Sequence, residues 1–205
     1  RFAFFSGMAD DIGNWAMERR AAFERLVKQQ DLEWVGNFDT HNIRQWLTKH
    51  RTHEVGFLCA SDTQARQLIT LAINLSIEIP QELAIMGIDN DEVENQLSLV
   101  PISSVTIDPH VSGELALNAL LNLNKSTPFE LQLIPPGDVK NRLSAHLAMG
   151  DDPMVTTALK YIYRNYHRTI KADQIIEHCQ TSRNTLEKRF KKTLNKTIHQ
   201  ALHDF

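Results

Sequence analysis

Three aspartates and one arginine have the types and spacing expected of a site for a polyhydroxylated ligand. Asp62 and Asp89 each follow a run of apolar residues, and Asp91 lies two positions after Asp89. Carboxylates accept pairs of hydroxyl hydrogen bonds, which suits a sugar. Arg19 lies on the apolar stripe of a predicted helix, where its planar guanidinium could bridge two oxygens of a polar ligand. Each residue also has a structural alternative: an internal ion pair for Arg19, a helix N-cap for Asp62 and a turn for the other two aspartates.

Sequence signatures of the common enzyme and cofactor sites are missing. The chain contains no GxGxxG, no Walker A sequence, no HExxH and no GxSxG. Its nine histidines are scattered, and none has a metal-ligand spacing to a cysteine. We therefore expect no metal, no cofactor and no enzymatic activity.

The helix that carries Arg19 is predicted over Ile12–Gln29. Its apolar residues recur at i, i+3 and i+4 spacing, which predicts that they are buried. They are Ile12, Trp15, Ala16, Phe23, Leu26 and Val27. Arg19 lies four residues after Trp15 and four before Phe23, so it must reach the edge of the interface or pair with a polar group.

Short apolar runs alternate with helical periods through the first part of the chain. The predicted strands are Arg1–Ser6, Leu32–Phe38, Val55–Ala60, Leu83–Ile88 and Ser103–Ile107. The other predicted helices are Asn42–His50, Thr63–Leu75 and His110–Leu123. This order predicts an α/β fold with an open parallel sheet flanked by helices. Ligands of such sheets bind at the carboxyl ends of the strands, where Ser61, Asp62 and Asp89 stand.

The character of the sequence changes after residue 125. A strand is predicted over Phe129–Ile134 and a short one near Val139 to Leu147, and Gly150 and Pro153 then mark a domain boundary. We expect a sensing domain over 1–150 and an all-helical domain over 151–205.

The overall charge of −3 is unevenly distributed between these two parts. Residues 1–150 hold 12 Lys+Arg and 19 Asp+Glu, which gives −7, whereas residues 151–205 hold 10 and 6, which gives +4. An acidic body with a basic end indicates a nucleic-acid contact at the basic end.

The basic end contains three predicted helices, Met154–Asn165, Lys171–Cys179 and Arg183–Leu194. Ser182 is the expected N-cap of the third helix, and Leu186 and Phe190 form its inner face. Its other face carries Arg183, Asn184, Glu187, Lys188 and Lys191. Two short helices, of which the second carries basic residues on its outer face, are typical of a helix-turn-helix. The second helix of that motif enters the major groove. A solvated three-helix bundle is the structural alternative.

Two stretches resemble known families. Ser182 to Lys192, followed by Thr197-Ile198-His199, resembles the first helix-turn-helix of AraC-type transcription regulators. Residues 1–124 resemble the carboxyl-terminal subdomain of LacI/GalR-type sensors and type I periplasmic sugar-binding proteins. This second resemblance rests on Arg1–Gly7, Arg19 four before Phe23, Ala60-Ser61-Asp62, Gly87-Ile88-Asp89, and Pro101 to Val105 followed by Gly113.

The resemblances imply roles for individual residues. In the sensor, Arg19 and Asp89 would contact a sugar, and Ser61 and Asp62 would line its pocket. In the AraC-type helix, Ser182, Arg183, Asn184, Glu187, Lys188 and Lys191 would contact DNA, with Asn184, Glu187 and Lys188 facing bases and Arg183 and Lys191 on phosphates. Ser182 would also cap the helix. Two departures from the family pattern, Gln180-Thr181 in the turn and Ile176 in the helix before it, predict a looser turn and an altered helix crossing.

The pairing of these two modules implies a cytoplasmic activator of pentose-use genes, with D-xylose as the expected effector. Its expected partners are promoter or operator DNA, a second copy in a homodimer, and RNA polymerase, with no membrane contact. Both modules are expected to be truncated, because the second sensor lobe and the second helix-turn-helix are not in the sequence. The competing classes are a sugar-binding protein with a helical protein-interaction module and a sugar-modifying enzyme.

Overall fold

A computed structural model describes residues 1–7, 13–50, 54–122, 133–145, 152–165 and 170–203. The chain divides into two compact units, Arg1–Ala145 and His146–Phe205. The boundary expected from the sequence was residue 150, which lies outside the described residues, as do Ile12 and residues 123–132.

The first unit contains a six-stranded sheet of order β2-β1-β3-β4-β5-β6. The strands are β1 (Phe2–Phe5), β2 (Trp34–Phe38), β3 (Val55–Cys59), β4 (Leu83–Asp89), β5 (Ser103–Thr106) and β6 (Val139–Lys140). The first five strands pair in parallel, and β6 pairs antiparallel with β5 at the edge. The predicted open parallel sheet is confirmed, with β6 as the one antiparallel strand among the described residues.

Within the described part of this unit, five helices alternate with these strands. They are α1 (Asn14–Gln29), α2 (Ile43–Lys49), α3 (Asp62–Asn74), α4 (Glu92–Leu97) and α5 (Pro109–Asn122). The central strands are apolar on both faces because helices cover them, and Phe4, Phe57 and Ile85 are at most 2% exposed. The six-residue α4 was not predicted, because its sequence is too short and too polar to show a helical period.

The predicted buried stripe of α1 is only partly correct. Ala16 and Val27 are buried, but Trp15 and Leu26 are 47% and 53% exposed. An α-helix turns 100° per residue, so Trp15 and Leu26 lie about 80–100° around the helix from the buried Ala16. The buried face of α1 is therefore narrower than the apolar stripe predicted from the sequence. The predicted strand Phe129–Ile134 lies mostly outside the described residues, and no strand is present at Leu133 and Ile134.

The second unit contains four helices among its described residues. They are α6 (Pro153–Asn165), α7 (Ala172–His178), α8 (Arg183–Leu194) and α9 (Ile198–His203). Leu186 and Phe190 of α8 are fully buried, as predicted, together with Ile175 of α7 and Ile162 of α6. Helix α9 was not predicted from the sequence.

The turn between α7 and α8 is tight, so the expectation of a looser turn is wrong. Gln180 adopts a left-handed conformation with φ of 49°. Its N–H donates to Glu177 O at 3.0 Å, and the N–H of Thr181 donates to Ile176 O at 3.3 Å. This is the Schellman pattern of helix ends, in which glycine usually occupies the left-handed position. Glutamine makes the same turn at the cost of a close contact between its Cβ and the backbone.

We expect Gln180→Gly to stabilise the second unit by about 1 kcal/mol, because glycine removes this Cβ contact. Hydrogen exchange of the buried α8 amides should slow accordingly. Asn195 has φ of 54° at the end of α8 and serves as the control: Asn195→Gly should gain less, since asparagine tolerates this conformation better. Faster exchange in Gln180→Gly than in the parent protein would contradict the prediction.

Candidate functional site

Arg19 and Asp89 form an ion pair at the carboxyl edge of the sheet. Nη2 of Arg19, on α1, lies 3.2 Å from Oδ1 of Asp89, the last residue of β4. Nη1 of the same guanidinium donates to the carbonyl oxygen of Ala60 at 2.6 Å, just after β3. The side chains of Arg19 and Asp89 are 25% and 41% exposed, so the pair is anchored in the unit yet open to solvent.

Trp15 extends this polar pair with an aromatic surface. The guanidinium carbon of Arg19 lies 4.8 Å from the centroid of the Trp15 ring, which is a cation–π contact. The indole is about half exposed. The i, i+4 spacing to Arg19 was visible in the sequence, but the apolar character of Trp15 led to the wrong expectation that it is buried.

The backbone that presents Asp89 is strained. Asp89 has φ of 108° and Asn90 has φ of 55°, so two consecutive residues with side chains adopt positive φ. Such conformations persist only where surrounding contacts hold them. Here the N–H of Asn90 donates to Oγ of Ser104 at 2.9 Å, and the N–H of Asp91 donates to Oδ2 of Asp62 at 2.7 Å.

Asp62 is buried and uses both carboxylate oxygens inside the unit. It is 2% exposed at the first position of α3. Besides the bond from Asp91, its Oδ1 accepts from the hydroxyl of Ser104 at 2.7 Å. Burial raises the pKa of Asp62, and the hydrogen bonds from Ser104 and Asp91 act in the opposite direction. Both oxygens of Asp62 therefore have partners inside the unit and are not available at its surface.

Ser61 caps α3 and is likewise directed inward. Its Oγ accepts from the N–H of Thr63 at 3.2 Å and donates to the side-chain oxygen of Gln64. Of the four predicted ligand residues, the structure therefore brings Arg19 and Asp89 into contact at the surface and gives Ser61 and Asp62 internal partners.

The electrostatics of Asp89 follow from its half-buried position. Loss of solvent raises the pKa of Asp89, and the nearby charge of Asp91 raises it further, whereas the charge and hydrogen bond of Arg19 lower it. Arg19 is therefore the interaction that favours the charged form of this carboxylate.

On α8 of the second unit, the exposed face carries Asn184, Lys188 and Lys191. These residues follow i, i+4 and i+7 spacing, so they share one side of the helix. Ser182 is the N-cap, and its Oγ accepts from the N–H of Thr185 at 3.2 Å. The capping role expected of Ser182 is present.

Two other predicted DNA-contacting residues have partners within the unit. Arg183 pairs with Asp173 of α7 at 2.6 Å, and both side chains are exposed. The carboxylate of Glu187 accepts from the N–H of Ile198 at 3.4 Å, which places it at the start of α9. Glu187 is therefore positioned to stabilise a helix N-terminus.

Arg189 of α8 has a structural partner on another helix. Its Nη1 lies 2.9 and 2.8 Å from the two carboxylate oxygens of Asp152. Asp152 also accepts from the first N–H groups of α6, at Met154 and Val155. Despite some desolvation, these contacts lower the pKa of Asp152. One carboxylate thus fixes α8 against the start of α6.

Neither a metal site nor a membrane span is seen in the part of the chain that the structure describes. No group of three or more His, Cys, Asp or Glu residues there is arranged to hold a metal ion. None of the described helices is long and apolar enough to cross a membrane.

Residues 1–145 match the family described as the periplasmic binding protein-like domain. The chain belongs to this family. The match ends where the first compact unit ends, so the unit that contains Arg19 and Asp89 is the periplasmic binding protein-like domain.

Two relatives and one solved structure are similar to the chain over nearly its full length. The xylose operon regulatory protein of Haemophilus influenzae is 34% identical over 100% of this chain and 56% of its own length. The protein of the same name from Escherichia coli K12 is 33% identical over 99% and 55%. The structure of a xylose-binding transcription activator aligns over 100% of this chain and 57% of its own, with a TM-score of 0.68 and 30% identity. The chain thus spans a little over half the length of these proteins.

Three contributors to the site in the periplasmic binding protein-like domain were not predicted from the sequence. They are Trp15, Ser104 and Arg142. Oγ of Ser104 bonds both Asp62 and Asn90, and Arg142 donates to Oδ1 of Asn90 at 2.8 Å. Arg142 is 52 residues from Asn90 in sequence, so no local spacing could indicate this contact.

Gly87 of β4 provides the space that Asp62 occupies. A Cβ at position 87 would lie 2.0 Å from Oδ1 of Asp62 and 3.2 Å from its Cα. We expect Gly87→Ala to lower the free energy of unfolding by about 1–3 kcal/mol, because the buried carboxylate and its helix must move.

Urea unfolding followed by tryptophan fluorescence measures this change, since all three tryptophans lie in the first unit. Gly113 of α5 is the matched control, because a Cβ there meets nothing within 4 Å. Gly113→Ala should stabilise the helix by about 0.5–1 kcal/mol. An unchanged unfolding midpoint for Gly87→Ala would show that Asp62 does not need this space.

Proposed function

We propose that the chain is the sugar-sensing and DNA-reading portion of a cytoplasmic transcription activator that responds to D-xylose. The observation that carries the proposal is the half-exposed Arg19–Asp89 pair at the carboxyl edge of the sheet, where ligands of such folds bind. The similarity to two xylose operon regulatory proteins supports xylose as the ligand.

The proposed sugar contacts divide between polar and apolar groups. Asp89 accepts hydrogen bonds from sugar hydroxyls, and Arg19 donates to ring or hydroxyl oxygens. The half-exposed indole of Trp15 supplies an apolar surface for the C–H face of the sugar. Ser61 and Asp62 support the site from behind, because both have partners inside the unit.

The proposed switch requires that xylose binds one conformation of the regulator better than another. Only such a difference in affinity shifts a conformational equilibrium and changes DNA binding. Binding between this lobe and a second lobe of a longer protein would supply the difference. The proposal includes a homodimer, operator DNA and RNA polymerase as partners, and it includes no catalytic step or cofactor.

On the DNA side, the helix pair α7–α8 acts as an AraC-type helix-turn-helix. Asn184 and Lys188 face base edges and Lys191 contacts phosphate. Arg183 reaches phosphate by exchanging its exposed bond to Asp173. Glu187 was expected to face bases, but we assign it to the start of α9 because its carboxylate already accepts from Ile198.

We expect Asp89→Asn and Arg19→Met each to weaken xylose binding at least tenfold, because each removes a charged hydrogen-bonding group from the site. Isothermal titration calorimetry on the full-length protein measures this loss of xylose affinity. DNA affinity without sugar should remain unchanged, since these side chains belong to the first unit.

Glu33→Gln is the matched control for this loss of charge. Glu33 pairs with Arg1 at 2.8 Å at the amino ends of the strands, the opposite edge of the sheet. Xylose affinity should stay within twofold of the parent protein. Parent-like affinity in both site variants would show that the sugar binds elsewhere.

Lys188→Ala should weaken binding to a duplex selected by the protein by about 1–3 kcal/mol if Lys188 reads a base. Fluorescence anisotropy on the selected duplex and on random duplex, over a salt series, separates base from phosphate contacts. In the parent protein, log affinity should fall linearly with log salt at about 0.9 per phosphate contact.

The control is Lys49→Ala, which removes the same charge from α2 of the first unit and should leave both affinities unchanged. Equal losses on the two duplexes would assign Lys188 to phosphate. No measurable DNA binding by the parent protein at low salt would instead favour a sugar-binding protein whose helical unit contacts another protein.

A further inference from the structure

We infer that Arg142 is a positioning residue of the sugar site, acting through Asn90 on the turn that presents Asp89. The inference rests on the proposed function for its ligand and on the hydrogen-bond geometry for its mechanism. Arg142 lies after β6, and its guanidinium donates from Nη2 to Oδ1 of Asn90 at 2.8 Å and from Nη1 to Ile102 O at 2.7 Å.

The turn needs such support because its backbone is unfavourable without it. Asp89 has φ of 108°, a conformation rare outside glycine that costs of order 1–3 kcal/mol, and it is followed by Asn90 with φ of 55°, which asparagine tolerates better. The N–H groups of Asn90 and Asp91 are held by Ser104 and Asp62. Arg142 supplies the bond to the Asn90 side chain, so backbone and side chain of the turn are held from different directions.

Arg142 can serve as a rigid support because its own backbone is fixed to β5. Oγ of Ser103 accepts from the N–H of Arg142 at 2.7 Å and donates to its carbonyl oxygen at 2.6 Å. Oγ of Ser144 accepts from the N–H of Ser103 at 2.8 Å and donates to Ile85 O at 2.6 Å. Both serines are fully buried.

This arrangement connects the proposed sugar contact to a distant part of the sequence. A ligand bound to Asp89 restrains the turn, and through Asn90 it restrains Arg142 and the segment that follows β6. Xylose should therefore slow hydrogen exchange in residues 139–145, which a purely structural role for Arg142 does not require.

A double-mutant cycle tests the inference. Asn90→Gly removes the side-chain partner and still accepts positive φ, while Arg142→Met removes the guanidinium and keeps an apolar stem. Each variant should weaken xylose binding about tenfold, as for loss of a charge-assisted hydrogen bond. The xylose affinity of the double variant should be no lower than the lower of the two single-variant affinities, because both substitutions remove the same contact.

A readout without sugar separates this inference from the proposed function. In Arg142→Met, the amides of Asn90 and Asp91 should exchange at least tenfold faster, with the core amides of β3 and β4 unchanged. Arg1→Met is the matched control: this arginine pairs with Glu33 at 2.8 Å at the opposite edge of the sheet, and its loss should leave these amides and the xylose affinity unchanged.

The outcomes are distinct. If the amides of Asn90 and Asp91 exchange faster in Arg142→Met but the parent protein binds no xylose, the positioning role is supported and the proposed ligand is rejected. Unchanged turn exchange, parent-like xylose affinity in Arg142→Met, or losses that multiply in the double variant would overturn the inference. Asn90→Gly keeps the buried bonds of Arg142, so it tests the contact even if Arg142→Met does not fold.

Discussion

The buried carboxylate of Asp62 is the constraint on which the carboxyl edge of the sheet in the first unit depends. A carboxylate removed from water must have its oxygens hydrogen-bonded, and here the donors come from β5 and from the segment after β4. Gly87 allows the close approach, because any side chain there would occupy the same space. Asp62 thus ties α3 to β5 and to the segment after β4, and it fixes the backbone from which the exposed Asp89 projects.

The second unit uses the same physical device at its helix ends. Asp152 accepts from the first N–H groups of α6 and binds Arg189, and Glu187 accepts from the first N–H of α9. The polar residues of α8 therefore form two groups, which lie on different sides of the helix. One side joins the helices of the unit, and Asn184, Lys188 and Lys191 lie on the side that is exposed to solvent.

Local sequence patterns predicted most of the helices and strands. They could not predict contacts between residues that are distant in sequence. Apolar runs indicated β3 and β4 within one residue at each end, because parallel strands covered on both faces must be apolar throughout. The same reasoning failed for Trp15, since an aromatic side chain can serve equally in a core or at a ligand surface. Arg142 gave no signal, because its partner is set by how β5 and β6 pair and not by its neighbours in sequence.

The environments of Asp62 and Asp89 differ, and residue type alone could not show which carboxylate has a structural role and which is exposed to a ligand. Asp89 ends β4 and Asp62 follows β3 at the same edge of the sheet, and burial raises the pKa of both. Asp62 is 2% exposed with both oxygens bonded inside the unit, whereas the Asp89 side chain is 41% exposed beside a guanidinium. A ligand hydroxyl can reach only a carboxylate that water also reaches. The strained turn therefore has a clear consequence: it carries Asp89 out of the network that encloses Asp62 and into contact with Arg19.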